Sequence, residues 1–199
     1  YESAGFFSHF LGEAKKPVLA VNGVSFSLKR GETLGIVGES GCGKSTLANT
    51  VIRTQPAPSG RIRHNGRDIT HVPPQDRELS QSTQIIFQNP DSSLNPRHSI
   101  RTILSRPLAV HGLASGPGLE TRCRELLDMV RLPGTYLERK PHQLSGGEKQ
   151  RVGIARAFAV RPDLVICDEV TSALDVSVQA SIISLLRELQ QELGTAYLY

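Results

Sequence analysis

Gly38-Glu39-Ser40-Gly41-Cys42-Gly43-Lys44-Ser45-Thr46 is the stretch of this sequence that decides the fold. It matches a known phosphate-binding pattern, in which Gly, four free positions and Gly-Lys are followed by Ser or Thr. Glycines allow backbone N–H groups to point at phosphate oxygens, and a helix that follows adds its positive N-terminal end. The pattern predicts that Lys44 reaches the outer phosphates of a nucleotide and that Ser45 ligates Mg²⁺.

The segments on both sides of this phosphate loop (residues 38–46) have the patterns of apolar residues expected of a strand before the loop and a helix after it. An apolar run at 33–37 predicts a buried strand that leads into the loop, and residues 18–28 alternate as a strand or hairpin arm would. After the loop, apolar side chains four positions apart predict a helix that ends before Pro56 and Pro58. The loop therefore joins a predicted strand to a predicted helix.

The rest of the chain alternates strand and helix signals. Asn65-Gly66 lies between two short runs and predicts a β-hairpin. Apolar runs predict further strands at 84–87, 164–167 and 195–199, and helical periodicity follows Ser99 and recurs at 119–130, 145–160 and 177–193. Such alternation predicts an α/β fold with a mostly parallel sheet, and residues 91–143 form a helical insertion between strands.

Composition limits the possible partners. The 199 residues suffice for one domain with a core, and no apolar run has the length of a membrane span. The net charge of +4 comes from scattered basic residues, and aromatic residues make up 5% with no Trp, so there is little material for stacking nucleic-acid bases. We therefore expect no nucleic-acid partner.

The three cysteines have no metal-binding spacing, and their odd number favours reduced thiols. Cys123 and Cys167 lie on apolar faces and are expected in the core. Cys42 lies in the phosphate loop, near a predicted helix start that favours the thiolate. We hypothesise that alkylation of Cys42 blocks nucleotide binding by bulk.

Asp168-Glu169 follows a fully apolar run of four residues. A carboxylate at the end of a buried strand beside a phosphate loop can hold Mg²⁺, which is the role expected of Asp168. Glu169 can polarise an attacking water as a general base. The alternative is a strand that simply ends in two solvated acids.

Leu144-Ser145-Gly146-Gly147-Glu148-Lys149-Gln150-Arg151 offers a second anion site, because it predicts free N–H groups at a helix start. Ser145 and Glu148 have the spacing of a capping box, so a capped helix start is the alternative reading. This segment resembles the signature motif of ABC-type ATPases. In that family the signature of one chain meets the γ-phosphate held by the phosphate loop of another.

The resemblance covers nearly the whole chain, which is identified as an ABC-type ATP-binding domain over residues 1–199. It implies a P-loop NTPase fold: a mostly parallel sheet flanked by helices, an antiparallel β subdomain and an inserted helical subdomain at 91–143. It implies that Gln88 senses Mg²⁺ and the attacking water, and that Tyr1 stacks on adenine. It also implies that Ser172-Ala173-Leu174-Asp175 is the D-loop, which touches the second ATPase domain.

Residues 88–97 resemble the segment that follows Gln88 in ATPase subunits of dipeptide, oligopeptide and nickel importers. This implies an ATP-hydrolysing subunit, with Mg²⁺, that powers import of peptides or a similar small solute. It also implies permease subunits docked near 88–103 and a peripheral place on the cytoplasmic face of the membrane. The alternatives are an ABC ATPase acting on nucleic acid or the ribosome, and a non-hydrolysing regulatory subunit.

The sequence departs from the family in one important respect. The switch histidine of the family should follow the strand predicted at 195–199, and none of the six histidines occupies that place. We therefore expect the chain to be a fragment that lacks this histidine and the last strands.

Overall fold

A four-stranded parallel sheet organises the molecule, for which a computed structural model describes residues 20–39, 41–168, 170 and 175–199. Its strands are β1 (Thr33–Leu34), β4 (Thr83–Ile86), β5 (Leu164–Cys167) and β6 (Ala196–Leu198), in the spatial order β1-β6-β5-β4. Each neighbouring pair is parallel. The predicted α/β class with a mostly parallel sheet is confirmed.

A separate antiparallel hairpin consists of β2 (Arg63–His64) and β3 (Arg67–Asp68). The turn between them has positive φ at both residues, 50° at Asn65 and 80° at Gly66. Asn and Gly tolerate this left-handed backbone, which is why the Asn-Gly signal identified the hairpin correctly.

Helices connect the strands and flank the sheet. They are α1 (Lys44–Val51), α2 (Arg77–Ser82), α3 (Pro90–Ser93), α4 (Ile100–His111), α5 (Pro117–Met129), α6 (Gly146–Phe158) and α7 (Val176–Leu193). The Ser99 side chain caps α4 by accepting from the Thr102 N–H at 3.3 Å, as the sequence predicts. Gly194 ends α7 with φ of 68°.

Most buried apolar side chains belong to one cluster that extends from α4 and α5 across α6 and α7 to the sheet. Its members include Leu104, Leu127, Phe158, Leu185 and Tyr197. Cys123 and Cys167 are buried in it, as predicted. A smaller cluster formed by Ala48, Ile166 and Leu198 attaches α1 to the sheet. Both clusters converge on β5, the strand that carries Asp168 at its end.

Two predicted strands were wrong in part. The run 33–37 is not a buried strand: β1 ends at Leu34, and Val37 is 97% exposed. One further ladder bond follows, from Ile36 N–H to the Tyr199 carbonyl at 2.6 Å, before the chain enters the phosphate loop. Residues 20–28 form no strand, and Val24 and Phe26 are exposed, because alternation alone supplies no pairing partner.

Within the described ranges, no helix combines the length and apolar character needed to cross a membrane. The longest helix among the described residues, α7, carries Arg187, Glu188 and Glu192 in its C-terminal half.

Candidate functional site

The phosphate loop follows β1 and leads into α1, as predicted, and its shape depends on glycine. Gly41 and Gly43 have φ of 81° and 102°, a region that L side chains rarely adopt. A Cβ at Gly43 would lie 2.2 Å from the Ala20 carbonyl oxygen. A Cβ at Gly38 would lie 2.5 Å from Cys42 Sγ. Gly43 therefore excludes larger residues by both backbone and contact, Gly41 disfavours them by its backbone alone, and at Gly38 the Cys42 side chain would have to turn away.

Lys44, the first residue of α1, folds back over this loop. Its Nζ donates to the Gly38 carbonyl at 2.7 Å and to the Glu39 carbonyl at 2.9 Å. Nζ also lies 3.9 Å from the sulfur of Cys42, which is exposed. The ammonium is thus held at the loop by neutral oxygens, which an anionic phosphate could replace as stronger acceptors.

The structure brings Ser45 and Asp168 together across 123 positions of sequence. The Ser45 hydroxyl donates to Asp168 Oδ1 at 3.5 Å. This contact forms because β1 and β5 are parallel strands of one sheet, so their carboxyl ends lie at the same edge. A cavity of about 210 Å³ beside the loop is lined by Lys44, Asp168, Val37 and Tyr199 among others.

Ser45 and Asp168 fit the divalent ion that the sequence predicts. A hydroxyl and a carboxylate are the hard oxygen ligands that Mg²⁺ takes together with phosphate oxygens and water. Among the described residues, here or elsewhere, no group of three or more His, Cys, Asp or Glu side chains could hold a metal by itself. Mg²⁺ at such a site would be held by the nucleotide as much as by the protein.

Gln88 lies at the same edge of the sheet. The Asp168 N–H donates to the Ile86 carbonyl at 3.1 Å, so the end of β4 lies beside the predicted metal carboxylate. Gln88 is exposed and follows Ile86 by two residues. Gln88 therefore lies two residues beyond the backbone group of β4 that bonds Asp168, and its role at the metal stays a prediction.

The second segment predicted to bind an anion is a capped helix start. Ser145 is the N-cap of α6 and accepts from the Glu148 N–H at 3.3 Å, while Glu148 accepts from the Ser145 N–H at 2.7 Å. The predicted capping box is therefore present. Gly146 and Gly147 are the first two residues of the helix, so their N–H groups have no partner within it.

Glu148 is held from a second direction by Tyr136, whose hydroxyl donates to Oε1 at 2.7 Å. This hydrogen bond, together with the one from the Ser145 N–H, lowers the pKa of Glu148 below its usual value of 4.5. The same contact raises the pKa of Tyr136. The guanidinium of Arg139 lies 3.8 Å from the centre of the Tyr136 ring. Glu148 is thus an anion fixed at the helix start.

Sequence reasoning missed Tyr136, and it gave Lys149 and Gln150 no role. Nothing in the local pattern identifies Tyr136, since its contact with Glu148 spans twelve positions. The sequence does contain a signal that Gln150 is buried, because it shares a stripe of α6 with the apolar residues Ile154 and Phe158. In the structure its side chain is 1% exposed. A polar side chain at a core position of a helix requires a partner.

Several predicted site residues lie outside the described residues: Tyr1, Ser40, Glu169, Ser172, Ala173 and Leu174. Asp175, the last residue of the predicted D-loop, is the N-cap of α7 and is exposed. Thr46, also predicted to bind the nucleotide, is part of α1 and its carbonyl accepts from the Thr50 hydroxyl at 2.8 Å.

In a comparison with known protein families, residues 21–172 match a family described as ABC transporter. The matched range includes both the phosphate loop and the helix start at 145–148. Both segments that the sequence predicts to bind anions thus lie within one family domain.

Curated proteins with similar sequences are transport ATP-binding proteins. The oligopeptide transport ATP-binding protein AppF of Bacillus subtilis (strain 168) is 45% identical over 198 residues, which is 98% of this chain and 59% of that protein. The dipeptide transport ATP-binding protein DppF of Escherichia coli (strain K12) is 44% identical over 183 residues, covering 92% of this chain and 55% of that protein. The chain thus spans little more than half the length of these relatives.

Solved structures give a consistent result. A dimeric ATP-binding cassette in a post-hydrolysis state with ADP and Pi has a TM-score of 0.76 at 31% identity, covering 90% of this chain and 78% of that one. The protein cbiO1 from Clostridium perfringens, part of the ABC transporter complex cbiONQ, has a TM-score of 0.79 at 32% identity, covering 90% and 70%. These similarities agree with the predicted P-loop NTPase fold.

Proposed function

The chain belongs to the ABC transporter family, and we propose that it is the ATP-binding and ATP-hydrolysing part of an importer of peptides or a similar small solute. One observation carries the ATPase assignment: Ser45 of the phosphate loop lies 3.5 Å from Asp168 at the end of β5. The names of relatives such as AppF and DppF support transport of peptides.

The first half of the proposed site holds ATP. Backbone N–H groups of residues 38–46 wrap the phosphates, and Lys44 exchanges its carbonyl partners for the β- and γ-phosphates. Ser45 and Asp168 hold Mg²⁺, and Gln88 completes the metal and water contacts. When Mg²⁺ is bound, it neutralises part of the negative charge on the phosphates. Tyr1 is the proposed aromatic that stacks on adenine.

The second half comes from another ATPase domain, whether identical, a sister chain or a fused half. The N–H groups of Gly146 and Gly147 and the Ser145 hydroxyl are proposed to face the γ-phosphate held by that domain. Residues 172–175 are proposed to touch it as the D-loop. The dimeric state of the similar cassette bound to ADP and Pi supports this arrangement.

Glu169 is the proposed general base for hydrolysis. It follows Asp168, the proposed metal carboxylate, directly in sequence. It would take a proton from a water as that water attacks the γ-phosphorus in line with the leaving oxygen. Lys44 and the N–H groups at 146–147 of the opposite domain would stabilise the charge on the transferred group.

ATP hydrolysis is proposed to drive solute transport through permease subunits, which dock near residues 88–103. The name of cbiO1 as part of an ABC transporter complex supports partners of this class. The resulting location is the cytoplasmic face of the membrane, with the chain attached peripherally. Residues 91–143, which contain α4 and α5, are proposed as the helical subdomain of an ABC domain that takes in the whole of residues 1–199.

Two substitutions in the full-length protein test the assignment. Glu169→Gln should retain ATP binding and reduce hydrolysis by roughly a hundredfold or more, because the amide cannot accept the proton. Lys44→Ala should weaken both binding and hydrolysis. Binding is measured with a fluorescent ATP analogue and hydrolysis by phosphate release. Turnover at the wild-type rate in either variant would refute the assigned roles.

A further inference from the structure

The helix start at 145–148 contains an acidic side chain as well as free N–H groups. Glu148 is the third residue of α6. A carboxylate in the first turn of a helix is stabilised by the positive end of the helix dipole. A phosphate that approaches the N–H groups of Gly146 and Gly147 would be attracted by the same positive end. The Glu148 side chain can therefore compete with the ligand that this helix start is proposed to bind.

In the structure, both oxygens of the Glu148 carboxylate have other partners. Oε2 accepts from the Ser145 N–H at 2.7 Å, and Oε1 accepts from the Tyr136 hydroxyl at 2.7 Å. The bond with Ser145 belongs to the capping box, which occupies one oxygen only. Tyr136 is thus the group that fixes the second oxygen.

Tyr136 is itself held in place by its surroundings. It lies in a short 3₁₀ turn, Gly134–Glu138, in which the Leu137 side chain is 1% exposed. The guanidinium of Arg139 lies 3.8 Å from the centre of the Tyr136 ring, a distance at which a cation is attracted to the ring face. The Arg139 carbonyl also accepts from the Ile100 N–H at 2.9 Å. The hydroxyl is therefore presented by a turn that is anchored both to the core and to the start of α4.

The same groups balance the charge of Glu148. The hydrogen bonds from the Tyr136 hydroxyl and from the backbone N–H at the N-cap lower the pKa of Glu148, and the positive charge of Arg139 adds to this effect. The neighbouring cation, Lys149, donates instead to Asp91 Oδ1 at 2.6 Å. Compensation for the carboxylate thus comes from the turn that carries Tyr136, and not from the next side chain of α6.

We infer that Tyr136 is a positioning residue that keeps the Glu148 carboxylate from competing with the phosphate held by the opposite domain. The inference rests on the proposed function. Without the hydroxyl, Oε1 loses its donor, and the carboxylate can turn toward the free N–H groups of Gly146 and Gly147, where it would repel a phosphate. With the hydroxyl in place, the helix start keeps an acid as part of its cap and still accepts an anion.

The test uses the full-length protein assembled with its transporter partners. Tyr136→Phe keeps the ring and removes the donor. It should reduce kcat for ATP hydrolysis by roughly tenfold with little change in the KM for ATP, because the phosphate loop that binds ATP is unaltered. Adding Glu148→Gln should restore most of the lost kcat, since a neutral amide keeps the capping contact without a negative charge. Rescue of this kind distinguishes a positioning role from a general loss of packing.

Arg139→Gln provides a second variant, because it removes the positive charge and leaves the Tyr136 hydroxyl in place. It should lower kcat by less, roughly twofold to threefold, and Glu148→Gln should relieve that loss as well. If Tyr136→Phe fails to fold, this pair of variants decides the inference by the same comparison.

Tyr197→Phe is the matched control, since it removes a buried hydroxyl that donates to the Leu186 carbonyl at 2.7 Å. It should lower the melting temperature and leave kcat within about twofold of wild type. Thermal melting checks that every variant is folded. Absence of hydrolysis in the wild-type complex would refute the proposed function. Wild-type hydrolysis with an unaffected Tyr136→Phe variant, or with a loss that Glu148→Gln does not relieve, would overturn the positioning role alone.

Discussion

The phosphate loop and the signature helix start both present backbone N–H groups at the beginning of a helix, but their polar groups are held differently. Lys44 in the loop donates to carbonyls of the loop itself, contacts that ATP would replace. At the helix start, Ser145 and Glu148 bond each other and Tyr136 fixes Glu148. The loop must exchange partners to bind ATP, whereas the helix start is already organised and must only be brought into place.

A glycine in each region makes this difference testable, and the phosphate loop should show the larger effect. Gly43→Ala places a Cβ 2.2 Å from the Ala20 carbonyl oxygen, and the backbone there has a φ of 102°. The substitution is therefore unfavourable both because of the steric clash and because of the left-handed backbone. The left-handed backbone alone costs about 1–2 kcal/mol, and the clash with rigid backbone adds to it. We expect a loss of ATP affinity of roughly a hundredfold. Titration with a fluorescent ATP analogue measures it, and affinity close to wild type would contradict the described loop geometry.

The matching change at the helix start should act on turnover. Gly147→Ala places a Cβ 2.7 Å from Val178 Cγ1, a side chain of α7. Crowding of this kind costs about 1–3 kcal/mol and should displace the start of α6. We expect hydrolysis to fall by roughly tenfold with ATP affinity unchanged, since this region is proposed to contact the nucleotide of the opposite domain and not that of its own chain.

Val178→Ala provides the control for that prediction, because it removes the crowded methyl groups. The double variant Gly147→Ala/Val178→Ala should regain most of the lost hydrolysis. A loss that persists in the double variant, with the protein folded by thermal melting, would show that Gly147 is needed for a reason other than its contact with α7.

The cysteines differ in exposure in the same way as the exposed phosphate loop and the ordered core, and this difference predicts which thiol reacts. Cys42 is exposed beside Lys44, whereas Cys123 and Cys167 are buried, and burial raises the pKa of Cys167 to about 12. We expect a maleimide to label Cys42 selectively and to block ATP binding, with saturating ATP protecting the thiol. Mass spectrometry locates the label. Equal labelling with and without ATP would contradict the hypothesis.

The smallest expected effect concerns Glu148 and pH. Its pKa is lowered in the folded chain, so its charge stabilises the fold above the usual pKa of 4.5, and this stabilisation is lost as the pH falls through the lower folded value. Glu148→Gln keeps the capping geometry without the charge. Its free energy of unfolding should be below wild type at neutral pH, and the difference should vanish in acid. A difference that does not depend on pH would exclude the charge as the cause.

The sequence identified the features that depend on local chemistry. Asn65-Gly66 specifies its turn through positive φ, and Ser145 with Glu148 specifies a capping box through spacing alone. The buried strand β5 followed from its apolar run, and the structure places Asp168 at its end within hydrogen-bond distance of Ser45. Each of these signals lies within a few residues.

Features that depend on distant partners could not be found in this way. The strand expected at 33–37 ends at Leu34, because the extent of a strand is set by its neighbours in the sheet. The contacts of Tyr136 with Glu148 and of Lys149 with Asp91 join residues from separate elements. Periodicity reports which face of a helix is apolar, but it does not report what a polar side chain on that face will meet.

The proposal that the two elements belong to a site shared between two domains is tested most directly by ATP affinity in single chains. The measurement is the ATP dissociation constant of the full-length chain, at a concentration too low for pairing, for Lys44→Ala and Ser145→Arg side by side. We predict that Lys44→Ala weakens binding by at least about tenfold, while Ser145→Arg stays within about twofold of wild type, because Ser145 serves the opposite nucleotide. Equal weakening by both substitutions would contradict the shared site and place the signature in the binding site of its own chain.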